Sequence, residues 1–140
     1  MKLKTVKYSK QVATWPKSGN HILAQYDDDS IVVYQAYNDE IAKVIVKCQN
    51  FHSKDCHAAG FKFARMTWIK TNFLWMMYRS GWATKPNQDR IIAITVSREG
   101  FDSILSSAVS SKKACENKEF DLVRLQWDPD HELDYSKVKT

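Results

Sequence analysis

Apolar and polar positions alternate between two periods along this chain. Residues 31–37 read IVVYQAY, a β-rich run that follows the turn-forming Asp27-Asp28-Asp29-Ser30. Asn38 then stands where a helix N-cap belongs, with Asp39 and Glu40 in the first turn to complement the helix dipole. Ile41, Val44, Ile45 and Cys48 fall on one face at helical spacing, and the helix is expected to end near Gln49 and Asn50. Residues 90–96, RIIAITV, form the clearest strand. Ser97 caps a further helix whose apolar face is Phe101, Ile104, Leu105, Ala108 and Val109. Residues 122–127, LVRLQW, predict a last strand, broken at Asp128-Pro129. Residues 51–62 read as a polar loop, and residues 63–69 are expected to include a strand.

The segment 66–82, MTWIKTNFLWMMYRSGW, breaks both periods. As a helix from about Asn72 to Arg79, with Thr71 able to cap it, it is apolar nearly all round, and such a helix is expected to be buried. Arg79 lies one turn after Trp75 and about one before Trp82, so its guanidinium is expected among aromatic rings. A buried guanidinium keeps its proton and needs an anion. Two partners stand open: an internal carboxylate, with Asp128 first in line, or a ligand phosphate.

These elements predict an α+β fold: a single compact domain with a central, mostly antiparallel sheet and two or three helices. Residues 1–26 read as a basic extended arm, 27–131 as the domain and 132–140 as a polar tail. At 140 residues, 44% hydrophobic and 12% aromatic, the chain can bury a core. No apolar run approaches the ~20 residues of a membrane span. The start MKLKTVKYSK lacks the apolar region of a secretory signal, so the expected location is cytoplasmic or nuclear, not secreted. Three cysteines at irregular spacing read as thiols and not as a disulfide framework. The net charge of +5 resides in Lys2, Lys4, Lys7, Lys10 and Lys17, since the other sixteen cations are matched by sixteen acids. That arm is either a solvated tail or a salt-sensitive contact for nucleic acid.

Several constellations have chemical potential. Cys48, His52, Cys56 and His57 have ligand chemistry suited to zinc but no C-x-x-C pair, and no metal is expected. Asp128, Asp130 and His131 leave the last strand as W-D-P-D-H, either a turn or an acid–base group beside the pocket-like Gln126-Trp127. Tyr34 and Gln35 are adjacent on a strand and so face opposite ways. A buried Gln or Tyr there needs a neighbouring backbone group or a ligand amide. Arg65, Lys70 and Arg79 interleave with Trp, an arrangement that stacks bases and holds phosphates, or that serves as ordinary surface charge. Phosphate-cradling glycine loops and G-x-S-x-G nucleophile motifs are absent from the sequence.

Three blocks then carry a resemblance: YDDDSIVVYQAY at 26–37, RMTWIKTNFLWMMYRSGW at 65–82 and VRLQWDPDH at 123–131. Together they resemble the signature blocks of the uncharacterised family numbered 4291 among the domains of unknown function. Members of that family continue past the last block, so this chain is expected to end early relative to them. The Cys48–His57 cluster is not part of that signature. The layout is also similar to ADP-ribosyltransferase-like domains, whose first strand binds nicotinamide and whose late strand carries the catalytic acid. Tyr34 or Gln35 would replace the usual His or Arg there, and Gln126 or Asp128 the Glu.

The leading expectation is a nucleotide-binding enzyme with a Trp-lined cleft, and the likeness in layout would make it a transferase that moves ADP-ribose from NAD. Tyr34, Gln35, Lys70, Trp75, Arg79 and Trp82 would bind the cofactor, and Gln126, Asp128 and His131 would serve catalysis. The alternatives are a non-catalytic RNA- or DNA-binding module that uses the Lys-rich arm and aromatic surface, or an inactive truncated relative.

Overall fold

A computed structural model describes residues 1–111, 123–129 and 136. The chain divides into two compact units, Val33–Ile94 on one side, and Met1–Val32 with Thr95–Thr140 on the other. Among the described residues the fold is α+β, with five helices, an antiparallel strand pair and a second, very short pair.

In the unit Val33–Ile94, strand β1 (Ser30–Tyr37) enters from the Asp27 turn and leads into helix α2 (Asp39–Cys48). Asn38 caps α2 as its side-chain position predicts, its Oδ1 accepting from the Ile41 N–H at 2.9 Å. Helix α3 (Lys54–Ala58) follows, capped by Ser53. Its Cys56 joins Ala42 and Ile45 of α2 and Ile92 of strand β2 (Arg90–Ser97) in the core, with Tyr37, Phe51 and Phe61 packed against them. Cys56 is the core thiol and Cys48 is only half-buried; α3 turns Cys56 inward, where its Sγ donates to the Asn50 carbonyl at 3.2 Å. Helix α4 (Phe73–Arg79) lies between α3 and β2 in the chain.

In the other unit, the backbone of Lys2 and Lys4 is held by the Gln25 side chain at 2.8 Å on each side. The turn before β1 forms as expected, with Asp27 Oδ1 accepting from the Ser30 N–H and hydroxyl at 2.8 Å. Those bonds hold the Asp27 carboxyl below its usual range. Helix α5 (Arg98–Ser106) starts at its predicted Ser97 cap. Strands β3 (Val109–Ser110) and β4 (Arg124–Leu125) run parallel.

Four expectations need correction. The arm is not wholly extended, because residues Tyr8–Val12 form a short helix, α1, beside which Tyr8 meets Trp15 edge-on. The loop at 51–62 contains α3, which a polar composition hid. No strand forms over 63–69; one bridge at Lys70 is all that pairs with β1 there. The described strands form one antiparallel pair and one parallel pair and not a single central sheet, and an ADP-ribosyltransferase fold is not shown.

Because a single side chain caps α2, replacing Asn38 with Ala is expected to cost about 1 kcal/mol. Urea unfolding should show a lower midpoint with an unchanged slope, and an unaltered midpoint would refute the capping role.

Candidate functional site

Tyr34 exchanges two backbone hydrogen bonds with Lys70, N–H to O at 2.6 Å and the reverse at 3.2 Å. This bridge fixes Lys70 beside β1. Asn72 then starts α4, its Oδ1 accepting from the Trp75 N–H at 3.0 Å, so Asn72 is the cap and Thr71 is not. Residue 72 has the extended backbone that a cap requires. With the helix so phased, the Lys70 ammonium lies 4.3 Å from the centre of the Trp75 ring. Phe73 meets the Tyr34 ring edge-on at 5.2 Å. Tyr34, Lys70 and Trp75, three residues expected in the site, are therefore gathered by one bridge and one cap. Burial pushes the Tyr34 hydroxyl pKa up.

Gln35 turns the other way and is 5% exposed. Its Oε1 accepts from the Tyr37 hydroxyl at 2.7 Å, and its amide nitrogen reaches Thr67 Oγ1 and the Trp68 carbonyl at 3.4 Å each. A ligand would reach this amide only by displacing those partners. Strand periodicity puts Gln35 and Tyr37 on one face, but the sequence carried no sign that the two would bond to each other. The Tyr37 hydroxyl is pushed up to about 12, first by burial, with Cys56 adding and Arg65 opposing.

Burial of α4 does not follow its composition. Seven residues make two turns, and only Met76 is buried; Phe73 (44%), Tyr78 (42%) and Trp82 (51%) are exposed. Arg79 is exposed as well. The expectation of a guanidinium enclosed by rings is thus corrected: Arg79 occupies the last turn, where the helix stops at Ser80 and the side chain runs out into water. Its guanidinium has no hydrogen bond or ion pair among the described residues, while its carbonyl accepts from Lys85 Nζ at 2.8 Å.

The helix ends in a Schellman arrangement. The Trp82 N–H donates to the Met77 carbonyl at 2.8 Å and the Gly81 N–H to the Tyr78 carbonyl at 3.0 Å. Gly81 takes the left-handed conformation this motif requires, with φ +59°. Trp82 and Ala83 continue it at φ +55° and +59°, which the motif does not require.

Gln126 and Asp128 follow β4, and the Gln126 amide donates to Asp128 Oδ1 at 2.7 Å. They belong to the unit Met1–Val32 with Thr95–Thr140, while the six residues assigned to cofactor binding belong to Val33–Ile94. His131 and Asp130 lie outside the described residues, as does Cys115. Among the described residues no three His, Cys, Asp or Glu side chains gather as a metal would need. His52 and His57 instead lie against the Phe63 ring, at 4.4 and 4.9 Å between centres. No helix among them is long and apolar enough to cross a membrane.

Replacing Tyr37 with Phe leaves the buried Gln35 carbonyl without its short donor, and about 1–3 kcal/mol of stability should be lost at neutral pH. Raising the folded-state pKa means that the native protein holds this proton more tightly. The contribution is complete below the unfolded value of about 10 and disappears as pH rises through about 12. Urea midpoints taken from pH 9 to 12 should fall more steeply in the parent than in Tyr37→Phe. Parallel curves would contradict the assignment.

The family described as Domain of unknown function (DUF4291) matches residues 21–140. No curated protein and no solved structure matches the chain. The chain belongs to this family, and the match takes in all three blocks singled out in the sequence as well as residues 132–140.

Proposed function

Starting from a family description that assigns no activity, we propose that Tyr34, Lys70, Trp75, Arg79 and Trp82 of Val33–Ile94 bind a nucleotide-type ligand. The exposure of Arg79 and Trp82 supports binding at a surface and not in the enclosed cleft expected from composition. The observation that carries this reading is the Lys70–Trp75 pair, set beside Tyr34 and Phe73 by the bridge to β1. Trp82, exposed at 51%, is the ring assigned to stack a base. Arg79, open to water, offers its planar fork to phosphate.

NAD is the ligand that the layout of the sequence blocks would imply, although the described strands show no ADP-ribosyltransferase fold. Lys70 and Arg79 would hold its pyrophosphate and Trp82 would stack one of its rings. The catalytic half of the proposal rests on sequence. Gln126, already bonded to Asp128, would orient that carboxylate to accept a hydrogen bond or a proton from the reacting group, with His131 as a second acid–base group.

A second reading has its own support. Arg79 and the arm lysines Lys2, Lys4, Lys7, Lys10 and Lys17 are exposed, and exposed aromatics with cations suit single-stranded RNA or DNA.

Calorimetric titration with NAD tests the first reading. Arg79→Ala and Trp82→Ala should each weaken binding roughly tenfold, the scale of a charge-assisted bond or one stacked ring. If both bind NAD as the parent does while their circular dichroism is unchanged, the site assignment fails. An oligonucleotide titration across salt separates the second. A steep slope that flattens when residues 1–17 are deleted would favour nucleic acid, whereas NAD affinity should ignore the deletion.

A further inference from the structure

The Schellman motif accounts for Gly81 and stops there. Two further residues, neither of them glycine, keep a left-handed backbone at Trp82 and Ala83. Left-handed conformation at non-glycine residues is disfavoured by contact between Cβ and the carbonyl, and it seldom extends past single residues. Something must hold this turn, and the bonds converge on Ser80.

Ser80 is 0% exposed. Its hydroxyl donates to the Met77 carbonyl and accepts from the Ala83 N–H, both at 3.1 Å. Its carbonyl accepts from the Thr84 N–H at 3.2 Å and the Lys85 N–H at 3.1 Å. One side chain therefore ties the end of α4 to the far end of the left-handed run. The indole of Trp82 sits at the middle of that run, half out in water.

We propose that Ser80 is a positioning residue: its enclosed hydroxyl locks residues 81–83 in a left-handed turn that holds the Trp82 indole ready to stack on an aromatic ring of the ligand. This rests on the nucleotide-binding reading above and adds to it the device that fixes the stacking ring. Strained backbone persists where the surroundings over-determine it, and it concentrates where a group must be pre-set for binding. A ring fixed in advance loses less freedom when the ligand arrives.

A double-mutant cycle with NAD as the probe tests this. Trp82→Ala should weaken NAD binding roughly tenfold. Ser80→Ala should weaken it by a similar factor, and the double variant should bind no worse than Trp82→Ala alone, because Ser80 acts only through that ring. If Trp82→Ala weakens NAD binding but Ser80→Ala does not, or if the two losses multiply, the positioning role is refuted while the binding reading stands. If Trp82→Ala binds NAD like the parent, Trp82 is no stacking platform and both fall. Should Ser80→Ala fail to fold, Ala83→Gly addresses the same point. Glycine relieves the turn, so Tm should be unchanged or higher while NAD affinity drops several-fold. A lower Tm, or parental affinity, would overturn the inference.

Discussion

Strand β1 has to satisfy its backbone on two edges, and the candidate site is a by-product of how it does so. Val32 and Val33 are completely enclosed, and buried peptide groups must find partners. One edge of β1 pairs with β2. On the other, the Val32 N–H finds the Gln25 carbonyl at 2.9 Å, and Tyr34 exchanges both its groups with Lys70. No full strand is needed at residue 70, only a single residue at the right height. That one residue places the lysine, and the cap at Asn72 two positions later sets the phase of α4. Trp75 and Phe73 then fall where Lys70 and Tyr34 can meet them. A backbone requirement has thereby arranged a cation, an indole and a phenol.

What could be read from the residues is what local chemistry decides. β1, α2 and β2 lie close to where periodicity and caps put them, because Asn38 marks its helix and the strands alternate or run apolar. α5 starts at its Ser97 cap but ends at Ser106, short of the Ala108 and Val109 counted on its apolar face, because Val109 pairs with Arg124 in β3 instead. Elements that depend on one or two contacts were not legible. Helix α3 occupies five residues of polar composition and exists around a Ser53 cap and an inward Cys56. The run at 63–69 has strand-like residues but meets β1 only through Lys70, so no ladder grows.

The largest misreading has a physical cause. Uniform apolarity around a helix implies enclosure only when the helix is long enough for neighbours to surround it. α4 is two turns long, and its composition says less about burial than about what the surface offers. Large rings left in water in one short stretch, with an arginine among them, suit a binding face. Gln35 illustrates the opposite case. Its environment is closed, but Tyr37, two residues on, already answers its amide oxygen, so enclosure there is a stability device.

Charge and strain point to different residues, and strain is the more informative. An exposed guanidinium implies little, since water solvates it at no penalty and every protein surface carries some. A left-handed Trp is different. By the usual cost of that conformation, Trp82 and Ala83 together forgo about 2–4 kcal/mol relative to relaxed backbone. The bonds to Ser80 offset that, and the helix could have ended at Gly81 without it. Ordinary turns relax such positions to glycine or asparagine. What this arrangement fixes is the backbone that carries the Trp82 side chain, half in water, and a flexible loop bearing the same residue would not supply it.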